Sequence, residues 1–243
     1  MRCLVVADIH GNLEALTSVI EHAGGNGGFD RIWQLGDIVG YGPEPGGCID
    51  LLRQYEHAGV AGNHDLAAVG KIGLEQFNSS AAEAARWTME QLTPEQVEYL
   101  ESLPLTVEID DFTLVHGSPR DPVWEYLVTE ESAEPNFELF DTVRCLVGHS
   151  HLPFLCRHDG NKPTFYSFPL HLPIRLIKDR YIINPGSVGQ PRDGLPTASY
   201  ALFDSATDTI THQRVSYDIS ATQARMRDCC LPTYLVERLA RGR

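Results

Sequence analysis

The sequence predicts an α/β fold, and three observations carry that prediction. The chain opens on the apolar run Leu4-Val5-Val6-Ala7, which has the length and composition of a strand buried on both faces. A helical pattern and a glycine-rich turn follow at once, the opening of a βαβ unit. Apolar runs then end five times in short glycine-marked turns, as in open α/β sheets whose loops gather at the carboxyl edge of the strands.

Asn12 is placed to cap a first helix, whose apolar positions Leu13, Leu16, Val19, Ile20 and Ala23 recur at helical spacing until Gly24 to Gly28 stops it. Residues 32–35 supply a second strand that ends at Gly36-Asp37. A loop over 38–43 leads to a helical pattern at 48–57, and Val60-Ala61 reads as a very short third strand before Gly62-Asn63-His64-Asp65. Two helical patterns within 79–102 meet at Thr93-Pro94, where Thr93 is an N-cap, Pro94 takes the first helical position and Gln96 completes a capping box. From Leu105 the period shortens to two, so 106–109 and 112–115 form a hairpin about Asp110-Asp111 that ends at His116-Gly117. Residues 143–147 are another buried strand, followed by Gly148-His149-Ser150-His151. The proline-rich 153–196 stretch holds short strands at 164–168 and 181–183, and 200–203 and 209–215 flank a hairpin loop. Helices over 220–228 and 232–239 finish the chain, which at 243 residues is expected to be one domain, 1–243, with its C-terminal helices starting at about 220.

With 42% hydrophobic and 21% charged residues, the composition is that of a globular protein. A net charge of −14 argues against a general nucleic-acid or anionic-membrane binder, so an anionic substrate needs local attraction, which bound dications provide. The six cysteines lack metal-type CxxC spacing and read as free thiols in a reducing compartment. The first strand begins two residues after Met1 and no apolar run reaches membrane-spanning length, so a cytoplasmic protein is expected.

Residues i and i+2 of an extended segment point the same way, so Asp8 and His10 can face one ion, and Gly11 permits the sharp turn that follows. A hard anionic oxygen beside an imidazole suits a divalent transition metal. The later turns add Asp37, Asn63 and His64, His116, then His149 and His151. Taken singly, each is equally a surface carboxylate or a hydrogen-bonded structural histidine. Taken together, five of the ten histidines stand at strand ends, whereas His22, His57, His158, His171 and His212 sit in helices or loops and read as surface or packing residues. Seven side chains, Asp8, His10, Asp37, Asn63, His116, His149 and His151, give four ligands to each of two ions if one carboxylate is shared, and Asp37 is the natural bridge. Two dications about 3.5 to 4 Å apart bind both non-bridging oxygens of a phosphate and polarise a water into hydroxide, the arrangement of a phosphoester hydrolase. Mixed N and O ligands accommodate Mn, Fe, Co, Ni or Zn.

The series Asp8-Ile-His10-Gly-Asn12, Gly36-Asp37, Gly62-Asn63-His64-Asp65, Val115-His116-Gly117 and Gly148-His149-Ser-His151 resembles, in order, all five motifs of the calcineurin-like metallophosphoesterase superfamily. Asn184-Pro-Gly-Ser187-Val-Gly189 is similar to its bacterial and archaeal phosphodiesterase branch. The resemblance implies a four-layer α/β/β/α sandwich of two mixed sheets. It also implies Asp8, His10, Asp37 and His151 on one metal, and Asp37, Asn63, His116 and His149 on the other. His64 is implied as the catalytic residue that contacts substrate and protonates the leaving group. Serine/threonine phosphatases of the superfamily carry a supporting aspartate and then an arginine where this chain has Gly40 and Tyr41. Nearby dications lower the pKa of an imidazole, so without that carboxylate His64 is expected to be mostly neutral at pH 7 while still donating a hydrogen bond.

Around this core two readings stand for each remaining residue. Asn12 caps the helix alone or also reaches a metal-bound oxygen, and the Gly186 to Gly189 stretch is an anion nest or a packing turn. Arg120, Trp124, Tyr126 and Arg192 bind the leaving group by charge and stacking, or are solvated loop residues. Tyr41, Pro43 and Glu44 are candidates for the opposite rim. The expected function is a dinuclear phosphodiesterase in which a metal-bridging hydroxide attacks a small phosphoester. The alternatives are a phosphomonoesterase of proteins or nucleotides, and a non-catalytic scaffold like the retromer subunit of the superfamily. Relatives of the last kind lose ligands or the catalytic histidine, and this chain keeps every one.

Overall fold

The first strand, β1 (Arg2–Val6), has four of its five residues fully buried, as a strand does when both of its faces are covered. Its side chains alternate between two cores: Leu4 and Val6 face helices, while Cys3 and Val5 face a second sheet. The computed structural model describes residues 1–177 and 179–243. After β1 come α1 (Leu13–Gly25), β2 (Arg31–Gln34), α2 (Pro45–Leu52), β3 (His57–Gly59), α3 (Asn63–Ala68), α4 (Ser79–Gln91) and α5 (Pro94–Ser102). The hairpin β4 (Thr106–Ile109) and β5 (Phe112–Val115), the short α6 (Glu130–Ala133) and β6 (Arg144–Leu146) follow. Then come β7 (Phe154–His158), β8 (Thr164–Ser167), β9 (Pro173–Arg175), β10 (Arg180–Asn184), β11 (Ala198–Asp204), β12 (Thr209–Val215), α7 (Ile219–Asp228) and α8 (Thr233–Leu239).

Two mixed six-stranded sheets result, in the orders β3-β2-β1-β11-β12-β9 and β4-β5-β6-β10-β7-β8. They pack face to face through Trp33, Phe112 and Phe203, whose ring centroids lie 4.8 to 6.0 Å apart. Residues of α1, α2 and α5 cover the outer face of the first sheet. The outer face of the second is covered more thinly, by Ala133 of α6, Phe137 of a 3-10 turn at Glu134–Glu138, and Leu127 and Phe140. The expected four-layer α/β/β/α sandwich is therefore the observed one. A further cluster joins Tyr41 and α4 to Met226, Leu231, Leu235, Val236 and Leu239 of the C-terminal helices and the turn between them. No helix among the described residues is long and apolar enough to cross a membrane.

The local signals hold at α1, where Asn12 Oδ1 accepts from Ala15 N, and at α5, where Thr93 and Gln96 form the capping box. The helix expected at 48–57 instead starts at Pro45 and ends at Leu52, because the chain must turn to pair His57–Gly59 with β2. Tyr55 continued the apolar pattern only because its ring packs on Phe29, 5.5 Å away. The short α3 was not predicted; it grows out of the Gly62-Asn63-His64-Asp65 motif, with Asp65 Oδ2 accepting from Gly62 N at 2.9 Å. Strands β7 and β9 were also missed within the proline-rich stretch, where Pro173 occupies the first position of an edge strand, a place that demands no N–H. Three of the histidines set aside, His57, His158 and His212, lie in strands rather than in helices or loops.

Candidate metal centre

All seven proposed ligands meet at one edge of the sandwich, at or just beyond the ends of β1, β2, β5 and β6 and the start of α3. Each is at most 4% exposed. The turns that present them are strained: Asp8, His10, Asp37, His149 and His151 all have φ between +51° and +63°, the left-handed region that non-glycine residues seldom adopt. Gly36, at φ +86°, shows how tightly the turns nest, since a Cβ there would lie 2.6 Å from His116 Nδ1 and 2.7 Å from Gly62 N.

The imidazoles are aimed by backbone carbonyls. His10 Nδ1 donates to Val39 O, His116 Nδ1 to Leu35 O, His151 Nδ1 to Gln190 O and His149 Nε2 to Trp124 O, at 2.6 to 3.2 Å. A carbonyl only accepts, so each of these nitrogens carries the ring proton and the other nitrogen turns a lone pair inward. Those inward nitrogens face one another: His10 Nε2 is 3.1 Å from His151 Nε2, and His116 Nε2 is 3.1 Å from His149 Nδ1. Two lone pairs at that distance repel unless a cation or a proton stands between them. Asp37 Oδ2 lies 3.6 Å from His10 Nε2 and 3.4 Å from His116 Nε2, linking the two pairs. Asp8 Oδ1 lies 3.4 Å from His151 Nε2, its Oδ2 is buried without a hydrogen-bond partner among the described residues, and Asn63 Oδ1 is 3.1 Å from His116 Nε2. Orphaned buried oxygen and opposed nitrogen lone pairs are what divalent cations satisfy, so the donor set fits metal.

Burial and the two aspartates pull the site's groups in different directions. Burial holds His10 and His151 well below the usual imidazole range and His149 down to about 3, leaving neutral donors. Burial pushes Asp8 up to about 7. Burial also opposes charge on His116, yet attraction to Asp37, a hydrogen bond to it and the field of Asp8 raise it to about 9.

Above the cluster a cleft is lined by His64, Tyr41, Phe77, Trp124, Tyr126 and Arg192, among others. His64 is fixed at its backbone by donation of its N–H to Asp37 Oδ1 at 2.8 Å. Tyr126 stacks on His149 at 4.1 Å, with its side chain half exposed. Tyr41 and Arg192 both line the cleft, with Arg192 Nη2 on Gln190 Oε1. Three candidate substrate contacts have their side chains engaged by the protein itself. Arg120 turns away from the cleft to pair with Glu125, which also binds Ser118 and Asn136. Asn12 spends its side chain on Ala15 N, Thr222 Oγ1 and Gly189 O, so it reaches no ligand oxygen. Glu44 is bound by Arg225. The Gly186 to Gly189 stretch is a packing turn, since Val188 N and Gly189 N donate to Ala7 O and Asp8 O and leave no anion nest. Asp65 went without a role in the sequence, although it holds the loop together by accepting from Val39 N and Gly62 N.

Residues 1–208 match the model of the calcineurin-like phosphoesterase superfamily domain. The chain belongs to this superfamily. A metallophosphoesterase from Sphaerobacter thermophilus of known crystal structure is similar over 100% of this chain and 99% of its own, at 46% identity and a TM-score of 0.90. An uncharacterised protein of Methanocaldococcus jannaschii is 41% identical over 98% of this chain and 97% of its own length. A symmetrical bis(5′-nucleosyl)-tetraphosphatase of Neisseria meningitidis is 28% identical over 74% of this chain, and the match spans 62% of that protein. As a calcineurin-like phosphoesterase the chain has α7 and α8 beyond the matched residues, and these helices pack against Tyr41 at the rim of the site.

Proposed function

We propose that the chain is a dinuclear metal-dependent phosphodiesterase acting on small phosphoesters. The observation that carries this reading is the pair of opposed imidazole lone pairs joined through Asp37 Oδ2 beneath a cleft that holds His64. Asp8, His10, Asp37 and His151 would hold one divalent ion, and Asp37, Asn63, His116 and His149 the other. Bound there, the ions would supply Lewis acidity toward phosphate oxygens and toward a nucleophilic water. His64, kept neutral by burial with a pKa lowered to about 4, donates a hydrogen bond to the departing oxygen. Arg192 draws the anionic ester into a cleft of an otherwise acidic protein, and Trp124 and Tyr126 offer ring faces to the leaving group. The six cysteines are unpaired, four of them buried, which supports a reducing compartment such as the cytoplasm.

A monoester carries one more negative charge than a diester, and among the described residues Arg192 is the one guanidinium lining the cleft, which favours the diester. With Mn²⁺, Fe²⁺, Co²⁺, Ni²⁺ or Zn²⁺ supplied in turn, kcat/KM should be higher on bis(4-nitrophenyl) phosphate than on 4-nitrophenyl phosphate; the reverse order would overturn the diesterase reading in favour of a phosphomonoesterase. Dinucleoside polyphosphates belong in the same panel, given the named activity of the Neisseria relative. His64→Ala should keep its metal content while kcat on esters with poor leaving groups falls about 100-fold, the scale of losing one preorganised hydrogen-bond donor to a developing oxyanion. Unchanged turnover on such an ester removes His64 from the mechanism.

A further inference from the structure

His64 is held in an unusual way for a residue that must present one nitrogen to a leaving group. Its Nδ1 is buried and has no hydrogen-bond partner among the described residues. The ring occupies the space above Gly40, where a Cβ would stand 2.4 Å from Nδ1 and 2.8 Å from Cγ. Gly40 itself has φ +88°, so any side chain there is excluded both by backbone strain and by the imidazole. No carboxylate at that position can orient the ring as it is placed. What touches the ring is aromatic: Tyr41 at 4.3 Å between centroids, Phe77 edge-to-face at 4.9 Å and 88°, and His10 at 4.9 Å and 84°. Phe77 is in turn braced edge-to-face by Trp124 at 5.3 Å. Tyr41 is seated among Met226, Leu235 and Leu239 of α7 and α8, beyond the residues that define the superfamily domain.

We propose that Phe77 and Tyr41 are positioning residues that clamp His64 from two sides and fix by packing the ring orientation that a hydrogen-bonded carboxylate fixes elsewhere. The proposal rests on the phosphodiesterase reading and deepens it. A ring with a free Nδ1 has no directional bond to resist rotation about its Cβ–Cγ bond, so only its neighbours hold Nε2 toward the departing oxygen. Through Tyr41, the C-terminal helices become part of that support.

The test is a double-mutant cycle on the Mn²⁺-loaded protein, using aryl methyl phosphates whose leaving groups run from 4-nitrophenol to phenol. Phe77 is half-buried and its replacement by Leu should leave melting temperature and metal content near those of the wild type. Phe77→Leu is expected to lower kcat about tenfold on the phenyl ester and less than about twofold on the 4-nitrophenyl ester, with KM little changed, because only poor leaving groups need the donated hydrogen bond. Phe77→Tyr, which keeps the ring, should restore the wild-type dependence on the leaving group. Added to His64→Ala, Phe77→Leu should cost nothing further, since the residue it positions is gone. A uniform loss across all esters, or a Phe77→Leu loss that adds in full to that of His64→Ala, would overturn the clamp while leaving the phosphodiesterase reading intact. A wild-type protein inert toward every ester overturns both.

Discussion

Asp37→Asn should abolish practical turnover on every phosphoester, with a fall in kcat on the order of 10⁴-fold, the scale seen when a catalytic unit loses one essential member. The reason is geometric. One carboxylate oxygen, Oδ2, lies between His10 Nε2 and His116 Nε2 at 3.6 and 3.4 Å, while Oδ1 accepts from the backbone of His64. The asparagine amide keeps the shape and one oxygen, so the fold survives, but it offers a weak neutral donor where the two proposed ions would share an anion. Metal analysis by mass spectrometry should find one ion or fewer per chain in the variant, against two in the wild type. Two retained ions with intact turnover would show that Asp37 is not the bridge.

Stripping the ions with a chelator should remove activity and also soften the fold. Without them, the His10 and His151 lone pairs oppose each other at 3.1 Å and Asp8 Oδ2 stays buried without a partner. Restoring metal at a hundred times its dissociation constant adds about 2.7 kcal/mol by mass action. For a chain of this size that corresponds to a rise in melting temperature of roughly 5 to 10 °C. Differential scanning fluorimetry with and without added Mn²⁺ measures it, and identical melting curves at saturating metal would contradict the assignment of these residues as ligands.

The convergence of the site was legible because each ligand lies where an apolar run stops and the sheet topology brings those ends together, although Asp8 and His10 share the site through left-handed turns beyond β1 and not through the two-residue period of an extended strand. What orients the ligands was not. The carbonyls of Leu35, Val39, Trp124 and Gln190 that fix the imidazole tautomers leave no trace in residue type, since any amino acid supplies them. Arg120 looked available because it follows His116 closely, yet Glu125, five residues on, claims it. Phe77 lies in a stretch with no periodic pattern between α3 and α4, so nothing local marked it as the neighbour of His64. The apolar spacing carries the second helix too far along the chain, because it does not distinguish a helical Tyr55 from one in the turn after the helix.

The left-handed turns have a cost that outlasts the chemistry. Forcing non-glycine residues into that region costs about 1 to 3 kcal/mol apiece, and five ligand positions are so held. A lineage selected only for heat resistance would gain by exchanging those residues for glycine, erasing the proposed ligand set while the sandwich around it grew sturdier. The most fragile feature of the molecule over evolutionary time is thus its cluster of buried aspartates and histidines, even though its five motifs are the easiest part of the chain to recognise.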